Sequence, residues 1–351
     1  MRVYYDYQIL IGQKYGGISR YVYEISKRLP DFGVDLTIKT LGNFNYYFSE
    51  RFGLQELSKP KQAFYHIVNK TARYFDLRRS DFDIFHPTYY YASKPSHGKF
   101  IVTVHDMTQE IFFNNPRAVR AKRKIIPQAD RIIAVSENTK RDIMKFFPEI
   151  SPEKISVIYH GASMLSVTDS EKIFPHDYVL FVGLRGGYKN FSRFVEAMKI
   201  LMRQENDIHV YCAGGGNFTA EEVSTFGEFH GRFHQIDLTD EELSRAYSGA
   251  LCFVYPSLCE GFGIPILEAF SCNCPVICAE RSSLPEVAEK SAVYFDPDNI
   301  DDMSEKILSV IRDEKLRREM ISSGRERVKF FDWDKAARET FECYQNTLDD
   351  V

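Results

Sequence analysis

The chain has 351 residues, 44% hydrophobic and 27% charged, with 20 Gly, 14 Pro and a formal net charge of −4. These are globular values in a chain longer than one core usually grows, so two ordinary domains are expected and a disordered or low-complexity chain is excluded. No apolar run approaches the roughly 20 residues that span a bilayer, and the first residues enter a strand with no secretory-signal core.

In chain order, the first half offers strand candidates at 2–11, 34–41, 83–86, 100–105, 131–135 and 155–159. After the first of them, Gly12, Gly16 and Gly17 make a turn into a helix over 18–29, with Ile18, Tyr21, Val22, Ile25 and Leu29 on one face. Residues 161–175 lack periodicity and read as a linker. A second string of strands follows at 178–183, 208–213, 232–236, 250–255 and 275–279, then a last amphipathic helix at 333–348. Strands alternating with helices predict an α/β protein with two doubly wound parallel sheets. All seven cysteines lie at or after Cys212, with no Cys-x-x-Cys pair and no histidine cluster at ligand spacing. Zinc is therefore not expected, and the thiols read as buried and reduced in a cytosolic protein. Residues 1–165 carry 25 Lys+Arg against 16 Asp+Glu, and the rest carries 20 against 33. A basic half joined to an acidic one predicts that the first half meets something anionic.

The most informative stretch is Glu260-Gly261-Phe262-Gly263-Ile264-Pro265, with Glu268 completing it, between two buried apolar segments. It reads as a strand-to-helix turn at the carboxyl end of a strand, where open parallel sheets bind ligands. Gly261 and Gly263 permit close approach of backbone, and the helix start favours an anion such as phosphate. The two carboxylates can accept hydrogen bonds from hydroxyls. Anion plus polyol describes a nucleotide sugar.

This motif resembles the E-x7-E signature of the retaining family 4 glycosyltransferases, which have the GT-B fold. The resemblance implies two Rossmann-like domains facing a central cleft. Residues 1–165 would bind the acceptor and 166–332 the nucleotide sugar, while 333–351 would cross back to the first domain. It implies that Glu260 contacts the donor hexose and Glu268 the ribose, with Gly261, Phe262, Gly263 and Ile264 beside the donor. In the loop Gly183-Leu184-Arg185-Gly186-Gly187-Tyr188-Lys189-Asn190, it implies that Arg185 and Lys189 bind the diphosphate. Fixed cations aimed at a departing diphosphate lower the barrier. Asn190 is the expected cap of the next helix. Gly214, which opens the Gly-rich turn at 214–216, resembles the family's nucleotide-pocket turn, and 233–236 would lie against the nucleobase. Gly16 and Gly17 resemble its N-terminal glycine pair. His105, before Asp106 at a strand end, resembles its acceptor-side histidine. Ser136 is the expected cap of a helix rather than a site residue.

Other signals read as structure. Asp81-Phe82-Asp83, Asp296-Pro297-Asp298 and Asp332-Trp333-Asp334 match a metal-holding D-x-D pattern, but none ends a strand of the nucleotide site, so no metal and no cofactor are expected. Two departures from the family are Asn273, where Gly is usual, and Ser282-Ser283, where a Gly pair is usual. Arg117, Arg120, Lys122, Arg123, Lys124 and Arg131 form a cationic stretch. Residues 44–79 add nine aromatics: Phe44, Tyr46, Tyr47, Phe48, Phe52, Phe64, Tyr65, Tyr74 and Phe75. Such a surface suits an anionic membrane or is a solvated helix face over core aromatics. No nucleic-acid module is readable.

The expected function is therefore retaining, metal-independent transfer of a hexose to a glycan or lipid-linked acceptor in bacterial polysaccharide biosynthesis. The resemblance points to mannose from GDP-mannose. The expected place is the cytoplasm, with peripheral attachment at the inner membrane face left open. The rivals are a GT-B nucleotide-sugar epimerase or hydrolase and a non-catalytic sugar-binding subunit.

Overall fold

The computed structural model describes residues 1–52, 59–112, 115–163 and 173–350. Backbone proximity divides the chain into two units, Met1–Gly161 with Trp333–Val351, and Ala162–Asp332. Part of the expected linker, 164–172, lies outside the described residues.

Unit 1 is a parallel sheet of β1 (Arg2–Tyr5), β2 (Asp35–Ile38), β3 (Ile84–Phe85), β4 (Lys99–Val104), β5 (Arg131–Ala134) and β6 (Ile155–Val157), in the order β2-β1-β3-β4-β5-β6. β1 ends earlier than the apolar run 2–11 suggests, because Gln8–Gly12 is a short helix. The buried Asp6 carboxylate accepts from Thr88 N and Oγ1 at 3.0 and 2.9 Å and pairs with Arg73, which ends the strand. Ile9, Leu10 and Ile11 are all buried. A continuous apolar run fits a buried helix as well as a two-face-buried strand.

The helix Trp333–Asp349 packs on unit 1, burying Trp333, Ala336, Ala337, Cys343 and Tyr344 in its core. A buried polar chain fixes it there. Tyr344 Oη lies 2.8 Å from Tyr5 Oη and 2.7 Å from His86 Nδ1. His86 Nε2 reaches Thr103 Oγ1 at 2.9 Å, and Thr103 meets Tyr21 Oη at 3.2 Å.

Unit 2 is a second all-parallel sheet of β7 (Asp177–Val182), β8 (Ile208–Ala213), β9 (Phe233–Ile236), β10 (Cys252–Tyr255), β11 (Val276–Ala279) and β12 (Ala292–Phe295), in the order β12-β11-β10-β7-β8-β9. The strand β12 carried no sequence signal, being short, mostly half-buried and at the sheet edge. The chain winds outward from β7 to β9, then returns to the other side of β7 with β10. The switch point of unit 2 thus falls between the carboxyl ends of β7 and β10, where doubly wound sheets open a crevice. All seven cysteines are buried, and none forms a disulfide. Burial pushes the Cys252 and Cys272 thiols up to about 12. Among the described residues no helix is long and apolar enough to cross a membrane.

Candidate active site

At the switch point of unit 2, the loops after β7 and β10 bring Lys189 and Glu260 together. Lys189 Nζ lies 2.6 Å from Glu260 Oε1, with both side chains only 13–14% exposed. The ammonium also donates to Tyr255 Oη at 3.4 Å and sits 5.2 and 5.3 Å from the Tyr188 and Tyr255 ring centroids. Burial, then the charge of Glu260, pushes the Tyr255 phenol well above its ordinary range, so it stays a proton donor. Leu258 N donates to Tyr188 O at 2.7 Å and ties the two loops to each other.

Glu260 is further held through its backbone. Its N–H donates to Ser282 Oγ at 2.8 Å, and its carbonyl accepts from Ser282 Oγ at 3.1 Å and Ser283 Oγ at 2.9 Å. Ser283 Oγ shares its proton with Phe262 O at 2.8 Å. Ser282 adopts φ 53°, the left-handed region that glycine favours. The serine pair thus keeps a glycine-like backbone and adds hydroxyls that grip the Glu260 turn. Asn273 likewise sits at φ 58°.

Gly263, at φ 115°, turns the chain into the helix Ile264–Ser271, with Pro265 in its first turn. Glu268 stands at the start of the second turn of this helix. Tyr247 Oη donates to Glu268 Oε2 at 3.3 Å. Burial and that carboxylate push the Tyr247 phenol well up. The Phe262 side chain is buried against Phe331, with ring centroids 5.6 Å apart, so it anchors the turn from within the core. Ile264 is half-buried at the helix start.

The structure gives Arg185 a different set of partners from Lys189. It is 8% exposed, and its Nε lies 2.8 Å from Glu222 Oε1. Its terminal nitrogens donate to the carbonyls of Gly214 at 2.8 Å, Gly216 at 2.8 Å and Asn217 at 3.0 Å. Arg185, expected at the diphosphate, here clamps the Gly-rich turn. Gly214, Gly215 and Gly216 all have positive φ, and a Cβ on Gly215 would stand 2.6 Å from the Arg185 guanidinium. Glu222 is available because it closes a capping box with Thr219. Asn190 also departs from expectation: it is at the helix start, at φ 58°, but its side chain donates to Pro297 O at 2.9 Å rather than capping.

In unit 1, His105 follows β4 at the carboxyl edge and is 7% exposed. Its N–H donates to Tyr90 Oη at 2.9 Å, and its Nδ1 has no hydrogen-bond partner. Burial, then the neighbouring His86 and Lys122, lowers it to about 3, so the imidazole is neutral. Beneath this turn, Lys122 is 1% exposed, bonding Asp106 O at 2.7 Å and Glu110 Oε2 at 3.0 Å, with the ammonium over the Tyr90 ring at 5.1 Å. The expected cationic face therefore loses Lys122, while Arg117, Arg120, Arg123 and Lys124 are exposed. Gly16 and Gly17 stand at the start of the helix Gly17–Arg28, where Gln13 Oε1 already accepts from Ser19 N at 3.1 Å. Ser136 Oγ accepts from Thr139 N at 2.9 Å as a helix cap. Of the D-x-D carboxylates, Asp81 and Asp83 pair with Arg2, Asp298 with Arg281 and Asp334 with Arg28.

Sequence reasoning missed Tyr255, Tyr247 and the hydroxyls of Ser282 and Ser283 as partners of the two glutamates. Tyr255, the last residue of β10, carried the one usable signal, since strand ends at a switch point face the crevice.

The profile described as "Glycosyl transferases group 1" matches residues 169–327, and that described as "Glycosyltransferase Family 4" matches residues 15–164. The chain is 28% identical over 234 residues to "O-antigen chain mannosyltransferase B" of Escherichia coli, covering 63% of this chain and 61% of that protein. It is 29% identical over 210 residues to "O-antigen chain mannosyltransferase RfbU" of Salmonella typhimurium, covering 56% and 57%. The chain thus spans about three fifths of the length of these curated relatives. Among solved structures, HepE of Anabaena in complex with UDP-glucose is similar at a TM-score of 0.75 and 16% identity, with 100% of both chains covered. WaaG, "a glycosyltransferase involved in lipopolysaccharide biosynthesis", is similar at 0.70 and 12%, with 97% and 98% covered. At these identities the likeness is one of fold, and the fold is GT-B.

Proposed function

Because the chain belongs to the group 1 and family 4 glycosyltransferases, we propose that it transfers a hexose from a nucleoside diphosphate to a glycan or lipid-linked acceptor, with retention at the anomeric carbon. The observation that carries this reading is the Lys189–Glu260 pair at the switch point of unit 2, 2.6 Å apart and mostly shielded from water. A diphosphate leaving the sugar gains negative charge, and a fixed ammonium stabilises that charge more in the transition state than in the bound substrate. Glu260, held by the Ser282 and Ser283 hydroxyls, accepts from the hexose hydroxyls. Glu268 accepts from the ribose, and the Gly261–Gly263 backbone and the following helix start take the phosphates. Arg185 serves by holding the turn at 214–217 that shapes the nucleotide pocket. No metal enters this reading, since Lys189 supplies the charge at the diphosphate. In unit 1, Gly16 and Gly17 lie at a helix start suited to phosphate, and neutral His105 serves the acceptor side.

The relatives that are mannosyltransferases support mannose, taken from GDP-mannose, and support an acceptor belonging to a surface polysaccharide. An anionic membrane surface is the partner that suits the excess of cations in residues 1–165, 25 Lys+Arg against 16 Asp+Glu. The test is a thermal-shift screen against GDP-, UDP-, ADP- and TDP-sugars, followed by product analysis with and without acceptor. A midpoint raised most by GDP-mannose, with new glycoside formed only when acceptor is present, is the expected result. Free hexose or an epimer formed equally without acceptor would overturn it.

A further inference from the structure

The 21-residue helix Lys59–Arg79 leaves four large apolar side chains on its solvent side, which is unusual for a helix packed on a core. Its inward side sets Leu77 against the core and engages several polar groups. Gln62 Nε2 donates to Ile11 O at 2.5 Å, Asn69 Oδ1 accepts from Leu41 N at 2.8 Å, and Arg73 pairs with buried Asp6 at 2.8 Å. Asp76 pairs with Lys39 at 3.3 Å. Its outward face is apolar: Phe64 is 63% exposed, Ile67 66%, Tyr74 53% and Phe75 50%. Their spacing of three, seven and one residues places all four on one side of the helix. Scattered apolar residues on a surface need no explanation, but two apolar pairs, Phe64 with Ile67 and Tyr74 with Phe75, on one side of one helix mark an interaction surface.

Charge decides the partner. The helix carries six cations, Lys59, Lys61, Lys70, Arg73, Arg78 and Arg79, against one acid, Asp76. Lys61, Lys70 and Arg78 are exposed, and the Arg78 guanidinium lies 4.1 Å from the Tyr74 ring centroid. A second copy of this chain would set cations against cations. A partner with an apolar interior beneath an anionic surface matches both halves of the pattern. We propose that the outward face of Lys59–Arg79 lies in the plane of an anionic lipid surface, with Phe64, Ile67, Tyr74 and Phe75 among the upper acyl chains and Lys61, Lys70 and Arg78 at the headgroups. The docking element is thus this helix rather than the cationic stretch 112–131, whose exposed cations Arg117, Arg120, Arg123 and Lys124 are not interleaved with exposed large apolar side chains. The inference rests on the membrane reading given above, and not on glycosyl transfer.

Co-sedimentation with vesicles of phosphatidylcholine alone, and of phosphatidylcholine with phosphatidylglycerol, tests it without donor or acceptor. The wild-type chain is expected to bind the anionic vesicles, to be released by salt, and to leave the neutral ones free. Phe64→Ser with Ile67→Ser, which adds no charge, should lower partitioning at least tenfold, about 1.4 kcal/mol. Arg117→Gln with Arg120→Gln should change it less than threefold. In a second measurement, Ile67→Trp should be quenched by brominated acyl chains in anionic vesicles. Equal wild-type recovery with both vesicle types would sink the membrane reading itself. Wild-type binding that survives both serine substitutions, with Trp at position 67 unquenched, would sink the assignment to this helix alone. A concentration-dependent dimer that the serine variant dissolves would replace lipid by a second copy.

Discussion

Lys189 and Glu260 compensate one another across 2.6 Å, so a diphosphate entering the site competes with Glu260 for the ammonium. That exchange makes Lys189 more valuable as charge grows on the leaving group. Lys189→Ala should therefore lower kcat by about 10²–10³, on the scale of losing one preorganised charge-stabilising donor, with a smaller change in KM. A rise in KM alone would make Lys189 a ground-state contact. Glu268→Ala should weaken nucleotide binding by about 1.5–3 kcal/mol by calorimetry, the range for a hydrogen bond to a charged group. Tyr247→Phe, which removes only the phenol that orients Glu268, should cost about 0.5–1.5 kcal/mol. Unchanged affinity in Glu268→Ala would remove it from the ribose. Glu260, Glu268 and Lys189 could be singled out from sequence because a short local pattern carries them. Tyr255, Ser282 and Glu222 could not, since each meets its partner 22 to 66 residues away. Arg185 was readable as a cation, but its contacts with the Gly-rich turn were not. Only the fold shows that the carbonyls of Gly214, Gly216 and Asn217 claim its donors.

At the scale of elements, strands were legible wherever both faces are buried. β8 and β10 are such runs, and the weaker edge strand β12 was not seen. Charge along helices was the least legible feature. Five cations in Pro116–Ile125 read alike in sequence, yet Lys122 points inward to Glu110, itself 1% exposed. Lys122→Met should cost about 3–5 kcal/mol, because it leaves a buried carboxylate without its cation. Adding Glu110→Leu should recover most of that loss, while Arg120→Ala should stay within about 0.5 kcal/mol. Denaturant midpoints of the three variants check this. A double variant no more stable than Lys122→Met would mean that the cost comes from lost packing rather than the orphaned charge.

At the scale of the whole molecule, the two units differ in how they respond to acid. Unit 1 buries three neutral imidazoles. Burial lowers His86 to about 3, burial with His86 and Lys122 lowers His105 to about 3, and burial with His105 lowers His160 well below its ordinary value. In unit 2, His209 is lowered to about 4 by burial, then by His176 and His234, but it is only half-buried, so screening reduces its contribution. Below the ordinary value of about 6.5 the unfolded chain takes up protons that folded unit 1 refuses, so stability is complete above that pH. It falls as pH drops from about 6.5 toward 3, by at most about 1.4 kcal/mol per pH unit for each histidine. The single tryptophan gives unit 1 its own signal, because Trp333 is buried there with its ring stacked on His160 at 5.7 Å. The urea midpoint followed by Trp333 fluorescence should stay level from pH 8 to 7 and fall from pH 6.5 to 5. His86→Asn should flatten that slope by up to one histidine's share. A midpoint that is level down to pH 5, or equally steep in the His86 variant, would mean that these imidazoles take up protons in the folded chain as readily as in the unfolded one.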